Sequence, residues 1–446
     1  MQAEDCRRIF GQVQDAARAL GVGDIEAIVS TEAEALTRFA NNGIHQNVAS
    51  SETHLSVRPV IDGRTARAST NRVDAASIRR VVQEAVAITR LTEPDRSLLD
   101  LAGPAEYTQI RRHFASTADA TPRDRAAAVA AAIAVVEEAG QTAAGIYSTG
   151  ETTFTVLNSR GVFARHTETM SRFSITAMAP ASSGWAKASN CDRRALDPVS
   201  LARIAAQKAA RSADLRELPP GRYTVILEPA AVLDLAGQMF GDFSGTAIRD
   251  GRSFLNDRIG NKLFGENIAI VDEVAHPAQS GAPFDAEGVP RRSLNLVERG
   301  VVREIAYSRQ AAALAGVQPT GHGYPLPNEL GEAPANMVIL GGTTPVEQMI
   351  AASPRAILVT RLWYIREVDP YEKIFTGMTR DGTFLVEDGQ VVCGLRNFRF
   401  NESLIEMLSR VEAMSEPVRA SGEEAPDMVV PAMQVADFRF SEVTRF

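Results

Sequence analysis

The sequence predicts an α+β protein in two parts, an N-terminal α/β region over residues 1–218 and a mostly antiparallel β region over residues 219–446. Three observations predict it. Up to residue 218, long helical periodicities alternate with β-patterned runs. At LRELPPGRY (215–223), Pro219-Pro220-Gly221 breaks any helix and re-aims the chain. Beyond that point the texture changes to many short strands with few helices. Length agrees, because 446 residues are too many for one small core.

Residues 4–20 read as a helix, with Ile9, Val13, Ala16, Ala17 and Leu20 on one face. DIEAIVS, EALTRFANN, GIHQNVAS and THLSVRPVIDG read as four antiparallel strands joined by tight turns. In the last of these, Leu55, Val57 and Pro59 alternate with His54, Ser56 and Arg58. Asp74 is placed to cap a helix running to about Arg90. A second helix starts with Thr121 as cap and Pro122 in its first turn, and Gly140 stops it. A hairpin turning at Asn158-Ser159-Arg160-Gly161 follows, and then a helix over 198–213. In the second part, VERGVV and VEDGQVV are hairpin signals. Short helices are expected at Pro345–Ala352 and Asn401–Ala413, and 416–427 reads as a polar loop.

Composition narrows the function. The formal charge is −8 and no arginine-rich stripe occurs, which argues against nucleic acid as a partner. No apolar run approaches the length of about 18 residues that a membrane span needs. The start, MQAEDCRRIFGQ, lacks the apolar stretch of a signal peptide. The three cysteines, Cys6, Cys191 and Cys393, lie too far apart for a disulfide framework. A cytoplasmic location is expected.

The stretch VILEPAAVLDLAGQMFGDFSG (225–245) steps from a strand into a helix at Glu228-Pro229. At about 100° per residue, Asp234, Gln238 and Asp242 share one side, and Val232, Ala236, Met239, Phe240 and Phe243 gather opposite. The polar side reads either as a solvated stripe or as the wall of a cleft. Two carboxylates alone are too few to hold a hard cation. PTGHGYP (319–325) brackets His322 between Gly321 and Gly323, which reads as an active-site loop or as a tight connection. The six histidines show no zinc spacing, and HExxH, CxxC, GxSxG and a phosphate-loop lysine are absent. Ser244 has no histidine near it in sequence. Cys393 reads as an inert thiol on a strand, and Asp272 and Asp285 as turn formers.

Taken in order, LTRFANNGIHQN, GRYTVILEPAAVLDLAGQMFGDFSG, GRSFLNDRIGNKLF, PFDAEGVPRRSLNLVERGVV, PTGHGYP, YEKIFTGMTRDGTFLVEDGQVV, LRNFRFNESLIEMLSRV and PAMQVADFRFSEV resemble the TldD/PmbA family, and within it the PmbA (TldE-like) branch. The resemblance runs over nearly the whole chain. It implies an N-terminal α/β domain, a C-terminal antiparallel β domain, and a dimer around an internal cavity where extended or unfolded peptides are cleaved. Its catalytic branch resembles a metallopeptidase, with a His-Glu-x-x-x-His helix after this same strand and a later cysteine completing a zinc site. Carried onto this chain, the motif falls on Asp234, Leu235 and Met239, and no cysteine follows Cys393.

The resemblance therefore implies a subunit with no metal ligands and no cofactor of its own. It pairs with a TldD-like catalytic subunit that holds the zinc, or with itself. Asp242, Gly321, His322 and Gly323 are the expected peptide-binding residues. Two other readings stay open: an independent hydrolase or amidase using Asp234, Gln238, His322 or Cys393, and a homodimeric peptide-binding protein without catalysis. In the first reading, peptides would add to open strand edges of the β domain.

Overall fold

The computed structural model describes residues 1–444. Its first sheet is built on two long antiparallel hairpins. One pairs Asp24–Ala40 with Gly43–Ile61, and the other pairs Thr142–Asn158 with Phe163–Ala179. The four short strands expected at the start are thus two long ones. Nothing between Ser30 and Ala33, or between Ser50 and His54, is a strong turn former, so each strand runs on. The turn falls instead at Asn41-Asn42, both at positive φ (50° and 59°), as a two-residue hairpin turn requires.

Two pairs of helices cover this sheet. Ala3–Ala19 and Ala75–Leu91 enclose one core with Ile25, Ala27, Leu55 and Val57. Pro122–Glu138 and Pro198–Arg211 enclose another with Tyr147, Phe173 and Ile175. The capping residues act as read. Asp74 accepts from Ala76 and Ser77, and Thr121 forms a reciprocal capping box with Asp124. The base of the first hairpin buries a polar pair as well: Arg58 makes a bidentate pair with Glu26 across the strands at 3.0 and 2.8 Å. Arg67 joins the same carboxylate and donates to the Leu326 carbonyl in the second half of the chain.

After Gly221 the chain forms two further sheets. In one, Gly221–Leu227 lies parallel to Arg355–Asp369 and antiparallel to Met433–Val443. The ladder continues through Phe398–Ser403 and Ile374–Glu387 and back to Arg355–Asp369, so five strands close into a ring. A ring leaves no edge between its members. The open edges expected of the β region are therefore absent between the ring strands and remain in its second sheet, which does not close, and a longer one-sided stretch lies in the first sheet. Residues 43–54 pair only with Asp24–Ala40. The expected helix at 401–413 shortens to Leu404–Ser409, because Phe398–Ser403 continues the ring ladder and Ser403 then caps the helix. The second sheet of this half packs Ile270, Leu294, Leu296, Val297, Met337 and Ile339 into the same large core as the ring.

Candidate functional site

The step out of Gly221–Leu227 begins with Glu228, anchored by its N–H to the Val359 carbonyl and by its carboxylate to Lys208 at 2.6 Å. Pro229 occupies the first helical turn. The α-helix Pro229–Ala236 is short, and the chain tightens into a 3-10 helix over Gly237–Asp242. The junction is tightly packed: a Cβ on Gly237 would lie 2.4 Å from Cβ of Ala425. The loop around 422–425 presses onto this turn, and only glycine fits.

The polar stripe of the step is neither solvated nor open to a cleft at its start. Asp234 is fully buried. One of its oxygens accepts the N–H groups of Glu423 and Glu424 at 2.9 and 3.0 Å, and the other accepts that of Leu362 at 3.3 Å. Burial pushes its carboxyl up to about 6, despite those three donors. Gln238 donates to the carbonyls of Asp234 and Glu424. Leu235 and Met239 are fully buried among the ring's apolar side chains. The carboxylate at the first motif position is thus spent on backbone donors, and the other two positions carry no ligand atom. These residues do not fit a zinc ion. Among the described residues, no three His, Cys, Asp or Glu side chains are grouped to hold a metal ion.

Asp242 lies at the end of the step, on the wall of a cavity of about 460 Å3 that also includes Gln238, Tyr324, Glu332, Glu367 and Lys373. Its Oδ2 is 2.7 Å from Lys373 Nζ, which also reaches Glu367 at 2.6 Å. Burial of Asp242 outweighs the attraction of Lys373, and its carboxyl is raised above the ordinary range. Arg252 and Arg366 complete the polar lining. The cavity offers carboxylates, a buried ammonium and guanidinium groups within one small volume. That chemistry suits holding a polar chain by hydrogen bonds.

The other expected residues are placed as follows. His322 is internal: Nδ1 meets Thr320 Oγ1 at 2.9 Å, Nε2 meets Asp272 Oδ1 at 3.2 Å, and the ring lines neither this cavity nor its neighbour. Gly321, at φ 74°, packs so closely on Pro290 that a Cβ would lie 2.2 Å from its carbonyl oxygen. Gly323 donates to Asp285 at 2.9 Å and lines a separate pocket. Asp285 closes its own turn through Glu287 and Val289, as its sequence setting suggests. Ser244 caps a short helix and gives its hydroxyl to buried Glu332, which also accepts from Thr246 and Ser308. Cys393 is half-buried on its strand, and burial raises its thiol.

Lys373, Glu367 and Tyr324 were not singled out by the sequence. In the structure Lys373 sits at positive φ (48°) in the turn DPYEK, where a lysine is unusual.

Residues 220–441 match the model of the PmbA/TldA metallopeptidase C-terminal domain, 25–89 that of domain 1 and 113–213 that of the central domain. The chain belongs to the PmbA/TldD family. As a PmbA/TldD protein it is 22% identical to metalloprotease PmbA of Escherichia coli O157:H7, over 98% of both chains. It is 24% identical to a metalloprotease of Methanothermobacter thermautotrophicus over 50% of this chain and 49% of that one. The match thus spans about half the length of that relative. The fold is shared with TldE from Thermococcus kodakarensis, at a TM-score of 0.87 and 19% identity, over 96% of this chain and 100% of the other. None of the described helices is long and apolar enough to cross a membrane.

Proposed function

We propose that this PmbA/TldD-family chain is a TldE-like, non-catalytic subunit of a zinc metallopeptidase assembly. It pairs with a TldD-like subunit that supplies the metal, and it contributes a wall of the chamber that holds an extended peptide. One observation carries the reading: at the family's zinc helix, Asp234 is consumed by the N–H groups of Leu362, Glu423 and Glu424, while Leu235 and Met239 are core. The peptide-facing surface is the cavity at the end of the step, with Asp242, Glu367 and Lys373 on its wall. The unpaired edge over residues 43–54 is a second place where extended backbone can be held. Three free, separated cysteines support a cytoplasmic setting.

The test is to purify the chain alone and with a family partner carrying His-Glu-x-x-x-His, then measure bound metal and cleavage of an unfolded protein. The expected result is no zinc and no cleavage for the chain alone, with both appearing in the mixture. One equivalent of zinc on the isolated chain, with peptide cleavage that Asp234→Asn abolishes, would sink the reading and favour an independent hydrolase.

A further inference from the structure

A second pocket, of about 350 Å3, lies where the first sheet meets the loop 281–291 and shares Tyr324 with the cavity at the end of the step. Its apolar wall is Phe154 stacked on Phe284 at 6.0 Å between ring centroids, with Ala282, Ala286 and Tyr324. Its polar wall is unfinished. His166 is 8% exposed; its Nε2 faces the Glu168 carboxylate at 3.8 Å, an ion-pair distance too long for a hydrogen bond, and has no closer partner. Arg291 Nη1 is buried with no partner either; its Nε only grazes the Phe284 carbonyl at 3.5 Å.

The neighbouring acids do not complete Arg291. Asp285 accepts from Glu287, Val289 and Gly323, Asp272 from His322, Ala335 and Asn336, and Glu168 from the Gly281 N–H. Arg291 forms no ion pair with any of them, although it lies near enough to Asp272 and Asp285 to influence their charge. Arg291 is half-buried with its Nη1 enclosed, and an enclosed polar atom without a partner is rare enough to need a reason. A ligand acceptor is such a reason.

We propose that this pocket binds a carboxylate borne next to an apolar group, either the C-terminal residue of a peptide or a small free acid. Arg291 takes the carboxylate, and His166 with its proton on Nε2 adds a second donor. The Phe154–Phe284–Tyr324 wall takes the apolar group. Glu168 and Asp285 also line the pocket, but their carboxylates are held by the N–H groups of Gly281 and of Glu287, Val289 and Gly323. That leaves one cation, one further donor and an aromatic wall for a small ligand. The binding does not require a catalytic partner, so its failure and the failure of the assembly reading are separate results.

The test is calorimetric titration of the full chain with N-acetylphenylalanine, with its amide, and with acetyl-Gly-Gly-Phe as the free acid. Saturable binding of a free acid is expected, with the amide weaker by about tenfold or more. Arg291→Gln should weaken the acid by a similar factor. Thr152→Trp, at an exposed position on the pocket wall, should block binding with Arg291 intact, so the proposal stays testable if the first variant folds poorly. Whichever free acid binds more tightly identifies the source, peptide terminus or free metabolite. Equal binding of acid and amide, binding indifferent to both variants, or no saturable binding by either acid would overturn the proposal.

Discussion

Two polar regions of this molecule contrast sharply. The step after Gly221–Leu227 carries the residues that a motif search would choose, and every one of the polar ones is satisfied inside the protein. Asp234 meets three N–H groups, Gln238 two carbonyls, and Asp242 a lysine. The pocket between the first sheet and the loop 281–291 carries no motif, yet it leaves His166 Nε2 and Arg291 Nη1 without partners. The lesson is that a polar side chain on a helix face says little until its partners are counted. Spent polarity holds the structure together, and unspent polarity on a pocket wall leaves donors for a ligand.

The contrast can be broken by mutation, because substitutions at the step should cost stability and those in the pocket should not. Lys373→Met leaves Asp242 and Glu367 without their shared cation, and urea denaturation should show a loss of about 3–5 kcal/mol. Asp234→Ala strands three backbone donors, and the expected loss is about 3 kcal/mol, with faster amide exchange at Glu423 and Glu424. A small loss there would mean that the loop around 422–425 is held by something else.

Asp234→Asn sharpens the same point through pH. The carboxyl titrates near 6 when folded, above its ordinary value of 3.8. The folded state then binds the proton more tightly than the unfolded state does. Wild-type stability should fall relative to the variant as pH rises from about 4 to about 6, by up to about 3 kcal/mol, and the difference should be flat above that. Melting curves of both proteins across that range check the sign, and a constant difference would show that Asp234 is not the titrating group. Gly422→Ala places a Cβ 2.2 Å from Asp234 Oδ1, and a loss of about 2 kcal/mol is expected. Smallest of all, Arg291→Met removes an uncompensated cation and should change stability by less than about 1 kcal/mol in either direction. A loss as large as that of Lys373→Met would make Arg291 a structural residue and erase the contrast.

The sequence made the local rules legible. Asp74, Thr121 with Asp124, and Asn41-Asn42 sit where caps and turns form because each acts on backbone two or three residues away. The step from strand to helix at Glu228-Pro229 was legible as well, and the proposed motif positions Asp234, Leu235 and Met239 follow from the resemblance. What was hidden was every contact distant along the chain. Nothing near Asp234 announces the N–H groups at 423 and 424, and nothing near Gly237 announces Ala425. Strand length was misread for a related reason: STEA and SSETH are polar but contain no residue that turns the backbone, and pairing with neighbouring strands carries them through. His166 and Arg291 could not be chosen from sequence, because being unpartnered is a property of the surroundings.

The ring also shapes how this protein comes off the ribosome. The strand Gly221–Leu227, which launches the step, has its two neighbours in Arg355–Asp369 and Met433–Val443. During synthesis it waits, apolar and unpaired, while the intervening polypeptide is made. The hairpins of the first sheet zip with adjacent sequence, and their joining of Asp24–Ala40 to Thr142–Asn158 needs only residues made before the ring begins. Nascent chains arrested before the final strand should therefore display a protease-resistant N-terminal portion joined to a cleavable remainder, and that interval is when the growing polypeptide most needs a chaperone.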